Sequence, residues 1–120
     1  MRADQSPYEV VDGVPVVRAP EEIDITNAPD LRSALKVAGA DGHRTLVLDM
    51  SRTRFCDSAG IHTLLAMHKR AQSEGGELLL VMPDPPVLRI FAITGVDRVI
   101  PSVTSLEEAL ARTSVNGSNG

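Results

Sequence analysis

The chain has 120 residues, a formal net charge of −4 and a single cysteine, Cys56. That length fits one domain around one hydrophobic core and excludes two. The acidic balance argues against a binder of phosphate backbones, so no direct nucleic-acid partner is expected. A lone cysteine excludes an intrachain disulfide and a cysteine-built metal site.

Aromatic residues are limited to Tyr8, Phe55 and Phe91, with no Trp, so the core must be aliphatic and suits helices packed on a sheet. Neither a signal-peptide pattern nor an apolar run of transmembrane length is present, and a cytoplasmic protein without membrane contact is expected.

Residues 1–7 are polar and expected to be flexible. Tyr8 to Val11 alternates like a half-buried strand, Asp12-Gly13 reads as a hairpin turn, and Val14 to Arg18 returns. Pro15 cannot donate a ladder hydrogen bond, which places it near a strand start or an edge and the hairpin at the sheet margin. Ala19 to Asp24 reads as an acidic loop. A helix begins near Thr26-Asn27, where either side chain can cap, and Pro29 and Asp30 suit a first turn. Leu31, Ala34, Leu35 and Ala38 share one face, and Gly39 and Gly42 are expected to end the helix.

Thr45 to Met50 is apolar without alternation, the pattern of a central strand covered on both faces. Phe55-Cys56 then runs into a helix that follows Asp57 or Ser58 and ends near Ser73, before Gly75-Gly76. Ile61, Leu64, Leu65 and His68 share its apolar face, with His68 expected at the core edge. Glu77 to Met82 is a second covered strand. Pro83 to Pro86 introduces a helix whose buried stripe is Val87, Ile90 and Phe91 and whose stop is Gly95. A short strand is expected at Arg98 to Ile100. Ser105 with Glu108, or Thr104 with Glu107, makes a capping-box pattern for a last helix through about Ala111. Residues 113–120 are rich in Ser, Asn and Gly, and disorder is expected there. The order is β-β-α-β-α-β-α-β-α, an α/β domain with a mixed sheet of four to five strands and about four helices.

Ser58 stands where a strand meets a helix. One reading is a helix cap, since Ser and Asp side chains accept hydrogen bonds from first-turn N–H groups. The other is a phosphoryl acceptor, because the positive end of a helix tolerates added negative charge. A nucleophile elbow needs G-x-S-x-G, and Cys56 stands where its first glycine would be. His62 is on the same helix as Ser58, an awkward position for a general base. His62 and His68 are six residues apart and do not form the i, i+4 pair of a zinc helix, and no phosphate-binding glycine loop is present. No metal and no cofactor is expected. Ser58, His62, Ala66 and Lys69 lie on one side of the helix, a stripe that either faces solvent or receives a partner.

Several segments together carry a family resemblance. Val47-Leu48-Asp49-Met50 leads through Phe55-Cys56-Asp57-Ser58-Ala59-Gly60 into Ile61 to Leu65. Gly76-Glu77-Leu78, Ile93-Thr94-Gly95-Val96 and Glu22-Ile23-Asp24 with Ala28-Pro29 and Leu31 accompany it. From Tyr8 to Ala111 the chain resembles the STAS domain, above all the single-domain bacterial anti-sigma factor antagonists, and a STAS fold over residues 8–112 is implied.

The resemblance implies a partner switch: the unphosphorylated protein binds an anti-sigma factor that is also a serine kinase, and so releases a sigma factor. Phosphorylation of Ser58 reverses binding, and a serine phosphatase removes the mark. Asp24 and Asp57 match the family's acidic residues near the acceptor. Together with Ser58, Ala59, Gly60, His62, Ala66 and Lys69 they form the implied partner surface. A monomer is expected, though sequence does not fix it. The family often has Gly where Glu21 stands after Pro20, so the path of this loop is left open. A STAS module that binds a small ligand, or serves a larger signalling assembly without phosphorylation, is the alternative.

Overall fold

A computed structural model describes residues 7–82 and 84–118, with 114–118 described through their backbone alone. The expected flexible segment lies, apart from Pro7, outside the described residues, as do Pro83 and the last two residues of the tail.

Strands β1 (Glu9–Val11) and β2 (Val14–Arg18) form the expected hairpin, with Val11 opposite Val14 across Asp12-Gly13. Both turn residues have positive φ, the geometry that matches the twist of the flanking strands. β2 runs parallel to β4 (Thr45–Asp49), β4 to β6 (Glu77–Val81), and β6 to β7 (Ser102–Val103). The sheet order is β1-β2-β4-β6-β7, so the hairpin's first strand is the edge. Pro15 pairs with Val10 of β1, and the register with β4 begins only at Val16, so its missing N–H interrupts no ladder.

The uninterrupted apolar runs of β4 and β6 are explained by layers on both faces. Leu46, Leu48, Leu78 and Leu80 pack with Leu31 and Leu35 of α1 (Ala28–Ala40), Leu64 and Met67 of α2 (Ser58–Ser73), and Val87 and Phe91 of α3 (Pro85–Thr94). Their alternates Val47, Leu79 and Val81 pack with Val16, Val103, and Leu106 and Ala109 of α5 (Leu106–Ser118). Burying such a side chain stabilises the fold by about 1.5–3 kcal/mol.

Several expectations need correction. The segment 98–100 is no strand: Val96–Val99 forms a short helix, α4, because Val96 and Ile100 are buried one turn apart while Val99 stays 54% exposed. Glu22–Ile23 is not loop but a strand, β3, paired with β5 (Phe55–Cys56) in a separate two-stranded sheet. Neither Thr26 nor Asn27 caps α1 with its side chain; Asn27 instead accepts from the Asp24 N–H at 2.9 Å and donates to the Glu22 carbonyl at 2.7 Å. The last helix passes Ala111 and reaches Ser118, so residues 113–118, expected to be disordered, are helical. Its start divides the two capping patterns: Ser105 Oγ accepts from the Glu108 N–H, and Glu108 accepts from the N–H and hydroxyl of Thr104.

His68 is fully inside the core and not at its edge, with 2% exposure. Its Nδ1 accepts a hydrogen bond from the Leu78 N–H at 3.2 Å, which ties α2 to the second residue of β6 and requires that nitrogen to be unprotonated. Burial, the largest influence, lowers the imidazole pKa, against the opposing effects of the Glu77 carboxylate and of the Val99 and Leu78 backbone. The unfolded chain therefore binds a proton that the folded one resists, and stability must fall as pH drops below about 6.5. Urea unfolding at pH 7.5 and 5.5 should show this loss, with a smaller difference in His68→Gln, which keeps an acceptor but does not titrate. An equal pH dependence in both proteins would contradict the assignment.

Candidate functional site

The site is built by backbone. The Glu21 carbonyl accepts from the N–H groups of Arg54 and Phe55 at 2.7 and 3.3 Å, Ile23 pairs with Cys56, and the Ile23 carbonyl accepts from the Asp57 N–H at 3.0 Å. Thr53, fully buried, donates its hydroxyl to the Pro20 carbonyl at 2.8 Å. The Pro20-Glu21 loop therefore runs alongside residues 53–57. Asp24 and Asp57 each follow a paired residue, which sets them side by side at about one strand spacing, roughly 5 Å.

Each acid is already engaged. The Asp24 carboxylate accepts from the N–H and hydroxyl of Thr26, which hold its pKa below the usual carboxylate range and keep it ionised at neutral pH. Asp57 is the N-cap of α2, accepting from the Gly60 N–H at 3.0 Å. The cap is therefore Asp57, and Ser58 is the first helical residue. Its side chain is exposed, and its hydroxyl makes no hydrogen bond among the described residues. At that position its own N–H and that of Ala59 have no intrahelical acceptor.

The remaining candidates separate by depth. His62 and Lys69 are exposed and Ala66 is half-buried, on the side of α2 away from Leu64, Met67 and His68. Gly60, expected on the partner surface, is buried beneath it. A Cβ there would lie 2.7 Å from both Cys56 Sγ and Ile23 Cγ2, so only glycine lets α2 seat on the β3–β5 pair. Cys56 is 2% exposed, and burial, with the Asp57 charge adding, pushes its thiol pKa up to about 12.

Sequence reasoning missed the apolar surroundings. Ile25 is 72% exposed and Phe55 46%, the latter because the two-residue strand alternates outward Phe with inward Cys. Between α1 and α2, Ile25, Ala28, Pro29, Arg32, Ala59 and His62 line a groove of about 300 Å³. Among the described residues no group of three His, Cys, Asp or Glu could hold a metal ion, and no helix is long and apolar enough to cross a membrane.

A mixed sheet with helices on both faces and a free serine opening α2 from a short parallel pair is a STAS architecture. The chain belongs to that family: residues 5–109 match the STAS domain. It is 31% identical over 101 residues to BtrV of Bordetella bronchiseptica, named as a candidate anti-sigma factor antagonist, over 84% of this chain and 87% of that one. To the anti-sigma F factor antagonist of Paenibacillus polymyxa it is 27% identical over 104 residues, 86% of this chain and 89% of the relative. A crystal structure of an anti-sigma factor antagonist from Mycobacterium paratuberculosis superposes with a TM-score of 0.79 at 34% identity, covering 88% of this chain and 89% of that one.

Two outcomes follow from this packing. Gly60→Ala should lower unfolding free energy by about 1–3 kcal/mol, the cost of overpacking a filled site, read by urea denaturation. A change within experimental error would show that α2 does not need the close approach. The Cys56 thiol should resist aromatic disulfide reagents in the folded protein at pH 8 and react once urea unfolds it; rapid reaction of the native protein would contradict its burial.

Proposed function

We propose that this protein is an anti-sigma factor antagonist whose partner binding is set by a phosphate on Ser58. The observation that carries the reading is the division of labour at the start of α2: Asp57 caps the helix, leaving Ser58 exposed with a free hydroxyl. The names of the relatives supply the partner class. Unmodified, the surface around Asp24, Asp57, Ser58, Ala59, His62, Ala66 and Lys69 binds an anti-sigma factor with serine kinase activity and so releases a sigma factor. The setting is then the cytoplasm, where transcription is regulated.

Phosphorylation adds about −1.5 to −2 charges beside Asp24 and Asp57, on a chain whose net charge is −4. The helix itself tolerates the group, since its N-terminus is the positive end of the dipole. What changes is the surface offered to the partner, by like-charge repulsion and by the cost of desolvating a phosphate. A 100-fold loss of affinity requires only about 2.8 kcal/mol. A serine phosphatase then restores the binding form.

Incubation with the cognate anti-sigma factor and ATP, followed by peptide mass spectrometry, should locate one phosphate on Ser58 and none in Ser58→Ala. Ser58→Asp should bind that partner at least tenfold more weakly than the unmodified protein. Phosphate on another residue, or undiminished binding by Ser58→Asp, counts against the switch.

A further inference from the structure

We propose that His62 is a proton-gated clasp for the phosphate on Ser58, so that the strength of the mark depends on pH. The inference rests on the reading that Ser58 is the phosphorylated residue. Ser58 and His62 are one helical turn apart on α2 and both exposed, which sets their Cβ atoms about 5–6 Å apart. The serine hydroxyl is too short to bond the imidazole and does not, whereas a phosphate extends the side chain by a P–O bond and presents three acceptor oxygens.

Across the groove, α1 contributes one charged lining residue, Arg32, and the other lining side chains are apolar apart from the Thr63 hydroxyl. From its own helix, the positions one turn away are Ser58, Ala59, Leu65 and Ala66. The nearby Asp57 and Asp24 carboxylates are bonded to the Gly60 N–H and to Thr26. The phosphate adds an anion one helical turn from the imidazole, beyond those of Asp57 and Asp24. An imidazolium facing it neutralises part of the added charge; a neutral imidazole does not. Rejection of the partner is therefore strongest at alkaline pH and softened as His62 takes up a proton.

The test uses the full chain carrying phosphoserine at position 58, made by semisynthesis, so that neither kinase nor anti-sigma factor is involved. The imidazole of His62 is titrated by NMR and the phosphate by its phosphorus resonance. Phosphorylation should raise the His62 midpoint by about half a pH unit or more, with His43, which packs edge-on against Tyr8, unmoved. By linkage the second phosphate pKa should be higher in His62→Gln than in the unsubstituted phosphoprotein. An unchanged His62 midpoint, or a phosphate pKa indifferent to His62→Gln, overturns the clasp. Failure of a kinase to modify Ser58 would instead strike the functional reading and leave these titrations as they are.

Discussion

Two backbone carbonyls, those of Glu21 and Ile23, hold the functional end of this molecule together. They accept from Arg54, Phe55 and Asp57, and so bind a loop that leaves β2 to the segment that enters α2. Without that pairing nothing in the main sheet would bring Asp24 near Asp57, because β3 and β5 belong to none of its ladders. The glycine at position 60 completes the constraint by letting the helix start close over Ile23 and Cys56. Acid, acid and hydroxyl are thereby fixed in relation to one another by main chain and packing, with no side-chain bond between them.

This construction separates structural from chemical duty. Asp57 satisfies the helix end, Asp24 is bonded into the turn that leads to α1, and Cys56 is a buried thiol. Ser58 is left with none of those tasks, so a phosphate placed there would break no capping bond. In the proposed switch, added charge would meet the positive helix end on one side and the partner on the other, and only the partner would have reason to move away.

Much of this was legible from sequence where burial imposes a period. The spacing of Leu31, Ala34, Leu35 and Ala38 marks α1, and the unbroken runs at 45–49 and 77–81 mark strands covered on both faces. The element that positions the site was not legible, since β3 and β5 are two residues long and pair across more than thirty positions. Two residues show no periodicity, and backbone bonds leave no trace in side-chain types. Phe55 is turned outward by the pleat while Cys56 points inward. His68 misled: its burial depends on an amide of β6 offered at the right depth, which spacing along α2 cannot reveal. The choice of cap between Asp57 and Ser58 was likewise undecidable until the backbone fixed which residue begins the helix.

The central claim is that phosphate on Ser58 changes the surface of a platform that itself stays intact. Amide hydrogen exchange at Asp57, whose N–H bonds the Ile23 carbonyl at 3.0 Å, reads that platform directly. Comparison of the unmodified and phosphorylated chains should give equal protection at Asp57 and at Phe55. Markedly faster exchange at these two amides in the phosphorylated chain would contradict the account, because the switch would then work by opening the β3–β5 pair.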